Sequence, residues 1–181
     1  VDAAVISSIE SKIKKYKKIS RGVVAKDRVN SVLVLKNSAR KLDPASMSSN
    51  MLSLILNLKG EVIIGDRALK CYLNEGRDKF YDLGEIWHKK YNLPFVFAKF
   101  CCIKNGDFYT GLVKKFLKQK VKIPQYILAE YAKSRGITKK DITWYLNFIS
   151  YKIGAKEEKA FKIFIKKARK LNFNPMEKND G

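Results

Sequence analysis

EVIIGDRALKCYLNEGRDKFYDLGEIWHKKYNLPFVFA, residues 61–98, is the stretch whose reading decides the fold. Residues 61–64 are a short apolar run rich in β-branched side chains. The run stops at Gly65-Asp66, where glycine turns the backbone and aspartate can cap a helix. That is a buried strand feeding a helix. The spacing predicts a helix over 67–73 that ends near Asn74-Glu75-Gly76, then a second helical piece carrying Leu83, Ile86 and Trp87, then an apolar run over 95–98 behind Pro94. A continuous apolar strand leading through a turn into a helix predicts a sheet covered on both faces, as in α/β folds. Ligands of such folds sit at the carboxyl ends of strands, which puts Gly65 and Asp66 where a site belongs; Asp66 either caps its helix or lines that site.

Working upstream, residues 2–6 (DAAVI) read as a compact apolar strand with Ser7 and Ser8 at its carboxyl end. The two hydroxyls either cap a helix that begins within 9–16 or face a ligand. Lys12, Lys14, Lys15, Lys17 and Lys18 form a basic run that reads as a solvated helix face or loop. Residues 22–25 and 29–35 (VNSVLVL) are two further strands. Ser31, polar inside an apolar run, either bonds to backbone or turns its hydroxyl toward a ligand where the chain crosses between lobes. Ser46-Met47-Ser48-Ser49-Asn50 precedes an apolar helix over 51–58, whose Leu52, Ile55 and Leu56 recur at helical spacing. A helix start has free N–H groups and a partial positive charge, so these residues either supply one N-cap or complete a carboxylate site; more polar candidates than a cap requires favour the ligand.

Downstream the pattern turns helical. Asp107 is placed to cap a stripe of Phe108, Leu112 and Phe116; Pro124 opens a helix over 126–134 that Gly136 stops; Thr138 and Asp141 read as a capping box ahead of Ile142, Leu146 and Ile149. Phe161, Phe164, Ile165 and Ala168 predict a last amphipathic helix after Gly154, and all these stripes read as core. The lone His88 reads as a surface residue without a catalytic role, and the Pro-, Asn- and Lys-rich tail over 172–181 as frayed.

The chain has 181 residues, long enough for one core of ordinary size or for two small lobes, and its 46% hydrophobic content excludes a disordered chain. No run approaches the roughly 18 apolar residues of a membrane span and no basic-then-apolar leader is visible, so a cytoplasmic home is the default expectation. Three cysteines, with Cys101 and Cys102 adjacent, give neither a disulfide framework nor metal-ligand spacing. The formal charge of +21 invites a nucleic-acid reading. Against it, only seven of the 38 basic residues are arginine and no recognition motif is present, so nucleic acid is the unfavoured partner. The same field draws in a small dianion.

IGDRAL, DLGEIW and LPFVFA, in that order, resemble the menaquinone-biosynthesis family of the futalosine route, and PFVFA looks like its chorismate dehydratase branch rather than the sister branch that makes dihydroxynaphthoate. The likeness runs from Asp2 to about Ser150. It implies the two-lobed fold of type II periplasmic binding proteins, α/β, with a helical carboxy-terminal part: residues 1–31 in lobe 1, 32–93 in lobe 2, 94–171 returning to lobe 1, and a tail. Family members begin with a further segment bearing a glycine-led strand and a Tyr-Leu-Asn turn tied to catalysis. No match to it is read here, so the first lobe is expected to be incomplete, with an unpaired edge at 2–6.

The resemblance further implies a lyase without metal or cofactor that dehydrates chorismate to 3-[(1-carboxyvinyl)oxy]benzoate, with the substrate's own carboxylate as base. The implied substrate-binding residues are Ser48, Ser49 and Asn50 on one carboxylate, Ser7, Ser8 and Ser31 from the first lobe and the crossing, and Gly65, Asp66 and Ala68 as the floor. A non-catalytic small-carboxylate binder of the same fold is the alternative.

Overall fold

The computed structural model describes residues 1–12, 15–118 and 122–171. Its strands form two sheets. Sheet A is ordered β1 (Ala3–Ser7), β6 (Phe95–Cys102), β2 (Lys17–Ala25), β7 (Ile149–Lys152), and sheet B is ordered β4 (Glu61–Ile64), β3 (Val32–Leu35), β5 (Phe80–Asp82). The chain passes from sheet A to sheet B after β2, builds α1 (Met47–Ile55), α2 (Gly65–Glu75) and α3 (Leu83–Tyr91) around it, and returns at β6. Helices α4 (Gly106–Lys118), α5 (Gln125–Arg135), α6 (Lys139–Leu146) and α7 (Ala155–Lys170) complete the order.

The period-2 alternation of β3 explains how sheet B is covered on both faces. Leu33 joins Ile63, Ala68 and Phe80 in a small cluster on the α2 side, while Val32 and Val34 join Val62, Met51, Leu52 and Leu83 on the α1 and α3 side. That second cluster does not stop at sheet B. It continues through Trp87, Val24, Phe95 and Val96 to Phe161, Phe164 and Ala168 of α7, so the two sheets share one apolar core. Trp87, fully buried, is its hub: its ring lies edge-on to Phe95 (centroids 5.1 Å) and to Phe164 (6.4 Å), and its indole N–H donates to the Pro94 carbonyl at 3.1 Å.

Asp82 fixes how the chain enters sheet B. Its carboxylate caps α3 through the Glu85 N–H (3.0 Å) and accepts from the backbone N–H groups of Val29 (3.1 Å) and Asn30 (2.6 Å), which lie on the crossing itself. Asn30 sits at φ 56°, a left-handed conformation that asparagine tolerates better than most residues.

Several sequence expectations change here. The described strand ladders are antiparallel, and the parallel pairing among the described residues is a single bridge of Lys41 to Glu61 at the edge of β4, so sheet B is covered on both faces without parallel strands. Ser7 belongs to β1, opposite Ala98. In place of a helix within 9–16 there is a single 3₁₀ turn, Glu10–Lys12, and β2 already begins at Lys17, so Lys17 and Lys18 of the basic run are strand; Lys14 lies outside the described residues. The strand expected over 29–35 starts only at Val32, because Asn30 leaves the extended region. Helix α1 begins four residues before the expected position, and β5 was not anticipated from FYD. Ile149 lies in β7 rather than on α6, and the 172–181 tail lies outside the described residues.

Asp107 caps nothing: it sits in the first turn of α4 and binds Lys17 at 2.6 Å. Phe108, Leu112 and Phe116 are exposed rather than core, because no described element covers that face of α4. The stripe on α7 is buried as expected, Gly136 ends α5 at φ 65°, and Thr138 and Asp141 form the reciprocal capping box of α6. His88 is half-buried, its Nδ1 3.3 Å from the Leu93 carbonyl oxygen.

Candidate active site

Ser7, Ser8 and Ser48 meet where the carboxyl end of β1 faces the amino end of α1. Ser48 Oγ lies 2.6 Å from Ser7 Oγ and 3.0 Å from Ser8 Oγ, and it accepts from the Ile9 N–H at 3.1 Å. The Ser48 N–H, one of the unpaired amides of the first helical turn, donates to Ser7 Oγ at 3.0 Å. Ser8 and Ser48 are fully buried and Ser7 is half-buried.

The direction of these bonds comes from valence. A hydroxyl has one proton and two lone pairs, and on Ser48 the Ile9 N–H takes one lone pair. If Ser48 donated to Ser8, the buried Ser8 proton would have no acceptor, since Ser8 Oγ makes no other hydrogen bond among the described residues. The satisfied arrangement therefore runs Ser8 to Ser48 to Ser7. Ser7, with both lone pairs engaged by the Ser48 O–H and N–H, keeps an O–H with no acceptor among the described residues. A half-buried donor at a helix amino end is matched to an anion.

Ser31 belongs to a second group. Its hydroxyl donates to Tyr145 Oη at 3.0 Å, which leaves the Tyr145 proton free for another acceptor, and burial pushes the Tyr145 phenol above its ordinary pKa so that it stays protonated. The Ser31 carbonyl accepts from the Gly65 N–H at 2.7 Å. Gly65 sits at φ 66° with open space where a side chain would begin, and that conformation turns β4 directly into α2.

Asp66 occupies the first turn of α2 without capping it. Its carboxylate instead accepts from Tyr131 Oη (3.1 Å) and Arg135 Nε (2.5 Å), both on α5. Asp66, Tyr131 and Tyr145 edge a hollow of about 220 Å³ that is otherwise lined by apolar side chains, among them Leu69, Ile127 and Leu128.

The remaining candidates are engaged within the protein. Ser46 is the N-cap of α1, and Ser49 turns back onto it (Oγ to Oγ 2.7 Å). Asn50 closes the preceding turn, accepting from the Asp43 N–H at 2.9 Å and donating to the Asp43 carbonyl at 2.8 Å. Ala68, one turn into α2, is buried beneath sheet B with Leu33 and Phe80. Of the candidates, Asp66 lines the hollow described above, and none of the serines does. Ser7 stands at the end of sheet A where β1 finishes, opposite Ala98; the same end carries the pairs Ala98–Val23 and Ala25–Ile149, and Ser31 and Tyr145 belong to the segments that leave β2 and enter β7 there. Tyr131, Arg135 and Tyr145 were missed; the signal available was a phenol and a guanidinium set among otherwise apolar helical stripes.

A family model described as menaquinone biosynthesis matches residues 40–170. A Campylobacter jejuni protein named chorismate dehydratase is 50% identical over 173 residues, which cover 95% of this chain and 77% of the relative. A crystal structure of an Archaeoglobus fulgidus protein superposes with a TM-score of 0.64 at 16% identity, covering 94% of this chain and 79% of that one. The periplasmic aliphatic sulphonate binding protein of Escherichia coli superposes with a TM-score of 0.52 at 15% identity, covering 95% and 74%. These likenesses show a mixed α/β fold of the periplasmic-binding-protein kind.

Proposed function

Because the chain belongs to the menaquinone biosynthesis family, we propose that it is a lyase that dehydrates chorismate in the futalosine route to menaquinone. The reaction removes a ring proton and the ring hydroxyl as water, and the electron pair of the broken C–H bond completes an aromatic ring. Aromatisation drives it. What the protein has to supply is a hold on a flexible dianion and a donor to the departing hydroxyl.

The observation that carries this reading is the meeting of Ser7, Ser8 and Ser48 at the start of α1, which leaves one O–H donor facing outward beside a helix amino end. In this reading Ser7 grips a substrate carboxylate, with Ser8 and Ser48 behind it fixing the direction of its proton. Ser31 and Gly65 shape the crossing, and the free Tyr145 O–H is a second donor for the substrate. Ser49, Asn50 and Ala68 hold the shape of α1 and α2 rather than the ligand. The base in this reading is the substrate's own carboxylate. We take residues 1–31 and 94–171 as lobe 1 and 32–93 as lobe 2. A cytoplasmic setting belongs to the same reading, and the free cysteines Cys71, Cys101 and Cys102 are in keeping with a reducing compartment; among the described residues no helix is long and apolar enough to cross a membrane.

Incubation with chorismate, then liquid chromatography and mass spectrometry, tests the proposal. Formation of the enolpyruvyl-benzoate, one water lighter than the substrate, is expected. Thermal stabilisation by chorismate without product would instead favour the small-carboxylate binder.

A further inference from the structure

Helices α5 and α6 stand apart from the main core. Leu128, Ala132 and Ile142 form their own small cluster with Ile137 and Leu146, and only Tyr145 of the pair packs against the large cluster. What joins this hairpin to the start of α2 and to the crossing is a short set of polar and aromatic contacts: Asp66 with Tyr131 and Arg135, Ser31 with Tyr145, and Trp144 stacked over Tyr72 with ring centroids 6.1 Å apart. A segment with few apolar ties to the rest is the kind that opens locally.

The charge of Asp66 also needs explaining. A carboxylate edging a hollow beside a site for a dianion repels the ligand unless a cation neutralises it. Arg135 does so, and its guanidinium is itself held over the Tyr131 ring, 4.6 Å from the centroid, so the residues form one preassembled unit on α5. Both partners of the ion pair are only about half exposed, at 41% and 42%.

We propose that Asp66, Tyr131 and Arg135 are a latch that closes the α5–α6 hairpin onto the start of α2 and so holds Tyr145 in place over the substrate; all three are positioning residues, and Asp66 is not a ligand contact. The proposal rests on the dehydratase reading for what passes beneath the hairpin. Its mechanics do not depend on that reading. Breaking the pair leaves the α6 end of the hairpin held by Ser31, the Tyr72–Trp144 stack, the packing of Tyr145 and the bonds of Lys26 to Asn147 and Phe148, while the α5 end is released, so the hairpin opens more often, and substrate is lost before reaction more often.

The chain supplies its own reporter. Trp87 is fully buried and Trp144 is partly exposed, so acrylamide quenching of tryptophan fluorescence tracks Trp144 and with it the hairpin. In Asp66→Asn, Arg135→Gln and Tyr131→Phe, the opening equilibrium is expected to shift about two- to five-fold for the first two, the range of a partly exposed ion pair, and less for the third, read as a rise in the quenching constant that stays below about threefold because Trp144 is already 36% exposed. The chorismate KM is expected to rise by a similar factor with a smaller change in kcat. The charge-swapped double variant Asp66→Arg with Arg135→Asp is expected to return both readouts toward wild type. Unchanged quenching in both single charge variants overturns the latch, and so does raised quenching that the swap does not reverse. Wild-type protein that neither turns over nor binds chorismate sinks the dehydratase reading, while the quenching arms still decide the latch.

Discussion

Ser48→Ala tests the buried serine relay directly. Removing Ser48 Oγ leaves the Ile9 N–H and the fully buried Ser8 O–H without partners, while Ser7 keeps the Ser48 N–H. Each buried orphan costs about 1–3 kcal/mol, and allowing for some relaxation the pair costs about 2–4 kcal/mol. For a chain of this size that lowers the melting temperature by roughly 5–15 °C, measured by calorimetry without ligand. Ser7→Ala removes the outward donor together with the acceptor of both the Ser48 O–H and the Ser48 N–H, so it too costs about 2–4 kcal/mol of stability. If Ser7 grips a carboxylate, the same change lowers kcat/KM by about 10- to 150-fold, the worth of a hydrogen bond to a charged group. Ser8→Ala strands no donor, since Ser48 still donates to Ser7 and accepts from the Ile9 N–H, so it should be the mildest of the three in stability, at about 1 kcal/mol, and below Ser7→Ala in its effect on turnover. A Ser48→Ala melting temperature within about a degree of wild type would refute the valence argument, and a larger kinetic defect in Ser8→Ala than in Ser7→Ala would refute the direction of the relay.

Other perturbations test the frame. Asp82→Asn puts an amide NH₂ against the N–H groups of Val29, Asn30 and Glu85 and should cost about 1–3 kcal/mol in urea unfolding. Burial raises the Asp82 pKa against the pull of these backbone donors. The native state therefore keeps that proton to higher pH than the unfolded chain, and this contribution to stability is full below the unfolded value and lost as pH rises through the folded one; the slope should vanish in Asp82→Asn. Lys99, 3% exposed, is paired with the half-exposed Glu158 at 2.7 Å, so Glu158→Gln strands a buried ammonium and should cost about 3–5 kcal/mol, whereas Lys99→Met lets Glu158 hydrate and should be near neutral by the same unfolding assay. Gly22→Ala would bring a methyl to 2.0 Å from the Ala98 carbonyl oxygen, force β2 from β6, and lower stability by about 1–3 kcal/mol in thermal melts.

Much of the frame could be read in residues 61–98 because burial writes itself into composition there. The β4 run had to be apolar, Gly65 had to tolerate a positive φ, and Trp87 had to find company in Phe95 and Phe164. The capping box of α6 was equally legible, since both of its bonds lie within one turn. Strand β5 was hidden because FYD is too short to display an alternation, and the exposed stripe of α4 misled because periodicity reports amphipathicity, not whether a neighbour exists to cover it.

The site was less legible for a related reason. Hydroxyls at a strand end and at a helix start have the same composition whether they bond inward or outward, and only the distances separate Ser48, which is saturated, from Ser49, which serves its own cap, and from Ser7, which keeps a proton to give. Charge is subject to the same rule. A lone aspartate after a strand-end glycine reads as a cap or as a ligand contact, and neither reading anticipates an arginine 69 positions away. The long reach from Asp66 to Arg135 therefore ties the first turn of α2 to a helix pair with little core of its own. That is the geometry of a part that moves: the apolar contacts that would hold α5 and α6 permanently are few, and a screened, half-exposed ion pair is strong enough to favour closure yet weak enough to release it.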